Sequence, residues 1–260
     1  MSENFEATRP AILVVTELFP TPSGPGFSGI FVVDQLRELS KYYDVHVLVP
    51  YQRSLRREAG QPELKKVSER FGLHVHYGGY FSWALLAKSI GHRLAPNLIA
   101  RPYIRSQEKM VMAGKLKRWA RALHQQYHFQ FIHGHEIGAG DEAGSIGRSL
   151  DIPSFVTLHS LAQFVRPSYS HHLWQKIINN INQADAVITV SQLAKQSYGQ
   201  DITRPWRVIA NGYSLKKPEA LPPTLLSRLD GKVVLLFAGF LIPSKKPDLL
   251  LEAMARLVSQ

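Results

Sequence analysis

The feature that most constrains this chain is an alternation. Short aliphatic and β-branched runs recur at 11–16, 44–49, 74–77, 129–133, 154–158, 186–190, 207–210 and 233–238, with longer amphipathic stretches between several of them. Some runs, such as AILVVT at the start, are apolar at consecutive positions rather than at every second one. A strand of that kind has to be covered on both faces, which is the situation inside a parallel sheet with crossover helices. Val32, Leu36 and Leu39 recur at helical spacing in the first intervening stretch. Met112, Leu116, Trp119 and Leu123 do so in another, and Ile177, Ile178 and Ile181 in a third. The pattern predicts an α/β fold on a doubly wound parallel sheet.

Composition narrows the function classes. Hydrophobic residues make up 45% and charged residues 20% of the 260, as in a globular protein of one large domain or two small ones. Without cysteine the chain has no disulfide, thiolate zinc site or cysteine nucleophile, which fits a reducing compartment. The N-terminus, MSENFEATRP, has no apolar signal-peptide core, and the longest apolar run, 233–243, is far short of the ~20 residues of a spanning helix. The expected location is the cytoplasm, with or without peripheral contact to the inner face of a membrane. The formal net charge is +11. One basic cluster holds Arg53, Arg56, Arg57, Lys65 and Lys66; the other holds Arg101, Arg105, Lys109, Lys115, Lys117, Arg118 and Arg121. Such a field attracts nucleotide phosphates, anionic lipid or nucleic acid, although a solvated helix face has the same composition.

The expected division is a Rossmann-like domain at residues 1–216, a linker at 217–231 and an incomplete second nucleotide-binding unit at 232–260. Pro218, Pro222 and Pro223 disfavour regular structure in the linker. After it, an aliphatic strand at 233–238 ends in Gly239 and leads through 240–246 into a helix at 247–259. Segment 78–105 mixes Tyr80, Phe81 and Trp83 with Lys88, Arg93 and Arg101. It reads either as a membrane-facing or acceptor-lining stretch or as an insertion packed on its own domain.

The motifs sit at the ends of the expected strands. Residues 24–29 match G-x-G-x-x-G literally, but Pro20 and Pro22 lie between strand and glycines, and the second strand ends without an acidic residue for a ribose. A nicotinamide oxidoreductase is therefore the less favoured alternative, though glycines there still permit close approach of the backbone to a ligand. His133 and His135 fall on one face of their strand, followed by Glu136. No further ligand stands at a recognisable spacing, so no metal site is assigned and the histidines are read as structural or substrate-facing. His159 lies just past a buried strand, where α/β proteins bind ligands; a loop-bonding histidine is the plain alternative. Ser191 is an N-cap for a helix at 192–198. Asn211-Gly212 reads as a turn, and Lys245-Lys246, before the last helix, could hold a diphosphate or be solvated.

Together these segments resemble the family 4 (group 1) glycosyltransferases of the GT-B fold. The segments are Leu13 to Pro20, Gly26-Phe27-Ser28-Gly29 with its following helix, His133 to Gly140, Thr157-Leu158-His159, Ala184 to Ser191, Val208 to Gly212, and Gly239 with Lys245 and Asp248 to Ala253. The resemblance implies transfer of a sugar from a nucleotide diphosphate donor to a carbohydrate or lipid-linked acceptor, with retention, in cell-envelope polysaccharide or glycolipid synthesis. It implies no cofactor, no metal and no nucleic-acid partner. It places His159 near the donor sugar as the catalytic residue, and Lys245, Gly239 and Asn211 on the donor. Gly26, Phe27, Gly29, His135 and Glu136 fall on the acceptor side. Phe240 stands where the family has arginine and Ser214 where it has aspartate, and the paired glutamates of the donor domain lie beyond Gln260. The expectation is a truncated chain with little activity alone; a non-catalytic acceptor- or membrane-binding module is the alternative.

Overall fold

The computed structural model describes residues 9–19, 29–52, 72–80, 101–212, 220–239, 241 and 245–258, the stretch 101–107 as backbone only. Two compact units result, residues 1–213 and 214–260.

The first unit is built on seven parallel strands: β1 (Ala11–Thr16), β2 (Asp44–Gln52), β3 (His74–Tyr80), β4 (Ile132–His135), β5 (Ser154–Leu158), β6 (Ala186–Thr189) and β7 (Trp206–Val208). Their order across the sheet is β3-β2-β1-β4-β5-β6-β7. Crossovers include α1 (Ile30–Leu39), α2 (Arg101–Tyr127), α3 (Glu142–Leu150), α4 (Ala162–Val165), α5 (His171–Ile181) and α6 (Gln192–Tyr198). This is the doubly wound parallel sheet that the aliphatic runs predict.

β1 shows why those runs are continuous. Leu13 and Val15 point into one apolar cluster, with Leu116 of α2, Ile146 of α3 and Ile177 of α5. Ile12 and Val14 point into another, with Val32, Val33 and Leu36 of α1. All four β1 side chains are fully buried, so neither face of the strand can tolerate a polar residue. Gly78 in β3 has a packing reason of its own: a Cβ there would come within 2.4 Å of the Trp119 ring on α2. The start of the ambiguous stretch 78–105 is thus strand, its end is the first turn of α2, and 81–100 lies outside the described residues.

Some expected boundaries move. The run at 129–133 becomes a strand only at Ile132–His135, so both His133 and His135 lie within β4. Lys109, expected on a basic helix face, is only 4% exposed, whereas Lys117, Arg118 and Arg121 are exposed. The prolines of the expected linker do not exclude a helix: Pro223 begins α7 (Pro223–Leu229). At the first helical position the missing N–H has no helical partner to lose, and the fixed φ suits the helix. The expected strand at 233–238 does not form among the described residues, and Val233 and Leu236 are 95% and 85% exposed. Aliphatic composition favours a strand only where a neighbouring strand supplies hydrogen-bond partners. Helix α8 (Pro247–Val258) forms where 247–259 predicts it.

Candidate active site

In a parallel sheet of this order the chain leaves β1 for one side and β4 for the other, and a crevice opens at the carboxyl ends of those two strands. Several buried polar groups of the first unit gather there, among them Thr16, His133, His135 and Glu136. Thr16, the last residue of β1, accepts a hydrogen bond from Leu18 N–H through Oγ1 at 2.9 Å, turning the chain at the rim. Gly29 precedes α1 with φ +69°, and a Cβ on it would stand 2.2 Å from the Leu18 carbonyl oxygen. Only glycine permits that approach.

β4 delivers two histidines to one face. Their ring centroids are 4.2 Å apart, as the two-residue period requires. His133 Nε2 pairs with Thr157 Oγ1 of β5 at 2.7 Å. His135 Nδ1 pairs with His159 Nε2 at 3.1 Å, and the far side of the His159 ring meets Phe31 of α1 at a centroid distance of 4.7 Å. Burial lowers His133 and His159 to about 4, and it holds His135 well below the ordinary histidine range, with His133 and His159 adding to the effect. At neutral pH all three rings are uncharged, so one N–H bridges His135 and His159. His135 Nε2 and His159 Nδ1 are buried without a hydrogen-bond partner among the described residues. One of the two carries a proton and the other a lone pair.

Glu136 organises the rim. It leaves β4 in the left-handed region, φ 65°. That turns its carboxylate across the sheet, where Oε2 accepts from the backbone N–H of His159 at 3.0 Å and of Ser160 at 2.8 Å. Oε1 accepts from Ile137 N–H at 3.0 Å. The position of His159 is therefore set twice, by its amide and by its ring.

Beneath the turn at Glu136–Gly140 lies an ion network that the sequence reading missed. Lys109 Nζ donates to Asp141 Oδ1 and Glu142 Oε1, both at 2.9 Å, and Asn180 Nδ2 donates to the same Glu142 oxygen at 2.9 Å. Asp141 Oδ1 also accepts from Gly138 N–H at 3.0 Å. Burial opposes the charge on Lys109, but Asp141 and Glu142 outweigh it and hold the ammonium above its ordinary range. Burial pushes Asp141 up to about 6 against the pull of Lys109, whereas in Glu142 the same lysine outweighs burial and lowers the carboxyl. Lys109 was legible in principle: it sits on the stripe completed by Met112, Ala113, Leu116 and Ala120, where a solvated lysine has no place. Glu17 was also missed; its Oε2 lies where a Cβ on Gly138 would stand, 2.1 Å away.

The structure thus brings His135, Glu136 and His159 together, adds His133 and Phe31, and sets Gly29 at the start of α1. Gly26 and Phe27 lie outside the described residues. Asn211 follows β7 and is exposed, and Gly239 and Lys245 are exposed residues of the second unit.

A Rossmann-like sheet with its polar side chains converging on the carboxyl edge defines a ligand-binding α/β domain. Residues 28–217 match the model of Glycosyltransferase Family 4, and since that is well over half of the chain, the protein belongs to this family. No curated protein matches the chain by sequence. The N-terminal domain of Candida albicans trehalose-6-phosphate phosphatase is similar in structure, with a TM-score of 0.50 and 10% identity over 77% of this chain and 44% of that one. Anabaena HepE, solved with UDP-glucose, gives a TM-score of 0.45 and 16% identity over 78% and 44%. Thermosynechococcus elongatus sucrose-phosphate synthase gives 0.45 and 15% over 78% and 48%. The chain spans less than half the length of each of these proteins. These likenesses concern the fold alone.

Proposed function

We propose that this chain carries the acceptor-side domain of a retaining glycosyltransferase that moves a hexosyl group from a nucleotide diphosphate sugar to a carbohydrate or lipid-linked acceptor, in cell-envelope polysaccharide or glycolipid synthesis. Membership of family 4 supports the reaction class. The observation that carries the site is the double anchoring of His159, by Glu136 at its amide and by His135 at its ring, beside the crevice between β1 and β4.

In the transfer, the bond from the anomeric carbon to the diphosphate oxygen breaks, a bond to an acceptor hydroxyl oxygen forms on the same face, and the hydroxyl proton passes to the departing diphosphate. An imidazole with a pKa near 4 is neutral at pH 7, so His159 serves by directed hydrogen bonding to a donor-sugar hydroxyl rather than as a charged acid. Its orientation is in place before the ligand arrives, which removes that ordering cost from the barrier. By resemblance to the family, Lys245 is read as a cation for the leaving diphosphate and Gly239 and Asn211 as donor-binding, while Gly29, His135 and Glu136 are read as acceptor-side together with Gly26 and Phe27, which lie outside the described residues. No cofactor enters this reading. No described helix is long and apolar enough to cross a membrane. The exposed Lys117, Arg118 and Arg121 of α2 support peripheral contact with an anionic cytoplasmic surface.

Saturation-transfer NMR with UDP- and GDP-sugars tests this. The wild-type chain should transfer magnetisation to sugar-ring protons of at least one donor, and His159→Gln should lose that transfer while keeping its fold. Failure of every donor, or equal transfer in the variant, refutes the assignment of His159.

A further inference from the structure

A second polar cluster occupies the other edge of the sheet, at the amino ends of β2 and β3. The pattern D-x-H at the start of β2 and H-x-H at the start of β3 puts side chains two residues apart on one face. The parallel register then pairs His46 with His74 and Leu48 with His76, so all four polar residues share that face. Asp44 stands between two imidazoles. Its Oδ2 is 3.2 Å from His46 Nε2 and its Oδ1 is 3.1 Å from His74 Nε2. The ligand atoms of Asp44, His46 and His74 all lie within 4.8 Å of one another.

We propose that Asp44, His46 and His74 form a binding site for a divalent transition-metal cation of the zinc class, with His76 as the residue that orients His46. Three protein ligands of two imidazole nitrogens and one carboxylate oxygen are the donor set that such cations take, with a fourth position left for water. Ligands about 2.1 Å from a tetrahedral ion lie roughly 3.4 Å from each other. Each imidazole nitrogen is already close to that from one carboxylate oxygen of Asp44, His74 from Oδ1 at 3.1 Å and His46 from Oδ2 at 3.2 Å, and the three ligand atoms lie within 4.8 Å of one another.

The surroundings fit. His46 is 1% exposed and is held by ring contacts with Tyr127 at 4.0 Å, His74 at 4.8 Å and Phe129 at 5.3 Å, so its Nε2 is aimed before any ion arrives. Its other nitrogen, Nδ1, is 2.9 Å from His76 Nε2, the kind of outer partner that fixes the tautomer of a metal-bound imidazole. Without a metal, Asp44 accepts from the Nε2–H of His46. In that state His46 Nδ1 accepts from His76 Nε2–H; on loading, the His46 proton sits on Nδ1 and His76 takes its Nδ1–H tautomer, so that its Nε2 accepts and the His46 Nε2 lone pair is left for the ion. His74 and Asp44 are 64% and 39% exposed, which leaves a side open for water and for the ion to enter.

The site spans two strands that are neighbours in space and separated in sequence, and β3 is the last strand of the sheet among the described residues. A bound ion would fasten that edge strand to β2. Because the unfolded chain does not hold the three ligands together, binding would also stabilise the fold.

The test titrates the tag-free full chain with zinc against a chromogenic chelator, and with cobalt followed by its visible absorption. The proposal expects one equivalent bound, a cobalt spectrum of low coordination number, and a rise in Tm with metal. His74→Ala changes an exposed side chain and Asp44→Asn a partly exposed one by an isosteric swap, and both should fold as the wild type does. Each should weaken zinc at least 10-fold and abolish the Tm rise. His159→Gln should bind zinc as the wild type does, because the histidines of the candidate active site are a separate cluster. Absence of equimolar binding, binding unchanged in His74→Ala, or binding lost in His159→Gln overturns the proposal.

Discussion

Replacing His133 by glutamine should flatten the fall of stability between pH 6.5 and pH 4. His133 is buried at the centre of the sheet, and burial takes it from 6.5 to about 4. A proton therefore binds the unfolded chain in preference to the folded one throughout that window. The full contribution is present above 6.5, and it declines as pH drops until the folded state also takes the proton near 4. A difference of 2.5 (6.5 less 4) at ~1.4 kcal/mol per unit gives about 3 kcal/mol over the window. By pH 5 about 2 kcal/mol of it should be gone. Asp141 works in the opposite direction: raised to about 6 in the fold, it takes up a proton there first and adds stability as pH falls from 6. Asp141 is present in both proteins, so subtracting one pH profile from the other removes its effect. Glutamine reaches the position of Nε2, can keep a bond to Thr157 and does not titrate, so its own cost is constant with pH. Urea unfolding at half-unit steps from pH 7.5 to 4.5 supplies the profiles. Parallel curves for wild type and H133Q would show that His133 is not held neutral by burial, and the reasoning would fail.

Other outcomes follow from the same core. Lys109→Met removes the cation between two buried carboxylates and should cost roughly 3–5 kcal/mol in urea unfolding at pH 7, with the loss shrinking as the carboxylates take up protons in acid. Gly134→Ala places a Cβ 1.9 Å from the Gly140 carbonyl oxygen and should leave little folded protein by circular dichroism. Gly114→Ala on α2, with nothing within 4 Å, should raise stability by ~0.5–1 kcal/mol. Glu136→Gln puts an NH2 donor beside an amide N–H that the carboxylate now serves, and should weaken donor contact through His159 in saturation-transfer NMR while lowering the free energy of urea unfolding by only about 1–2 kcal/mol relative to wild type.

The strands were legible because their burial on two faces writes itself into composition. AILVVT cannot be an exposed strand, and the structure gives it two buried faces. Helix α6 begins where Ser191 predicts, with the serine Oγ accepting from Ala194 N–H at 3.0 Å. The site was legible only as single residues at strand ends. That His135 reaches His159, 24 positions on, depends on the register of β4 against β5, which pairs His135 with Thr157 and which no local pattern states. The Lys109 network joins residues more than 30 positions apart in the same way. Residues 233–238 erred in the other direction: their aliphatic character is local, whereas a strand requires a partner.

The carboxylate of Glu136 has a consequence for what can bind. Two adjacent amide N–H groups at the end of a parallel strand are ordinarily an invitation to an anion. Here both are already engaged by the protein's own negative charge, at 3.0 and 2.8 Å. A phosphate arriving at the end of β5 meets a resident anion in its place and is repelled, whereas the same field sets no penalty on an uncharged group. The rim is a charge filter: the resident carboxylate turns an outside anion away and leaves an uncharged group unopposed.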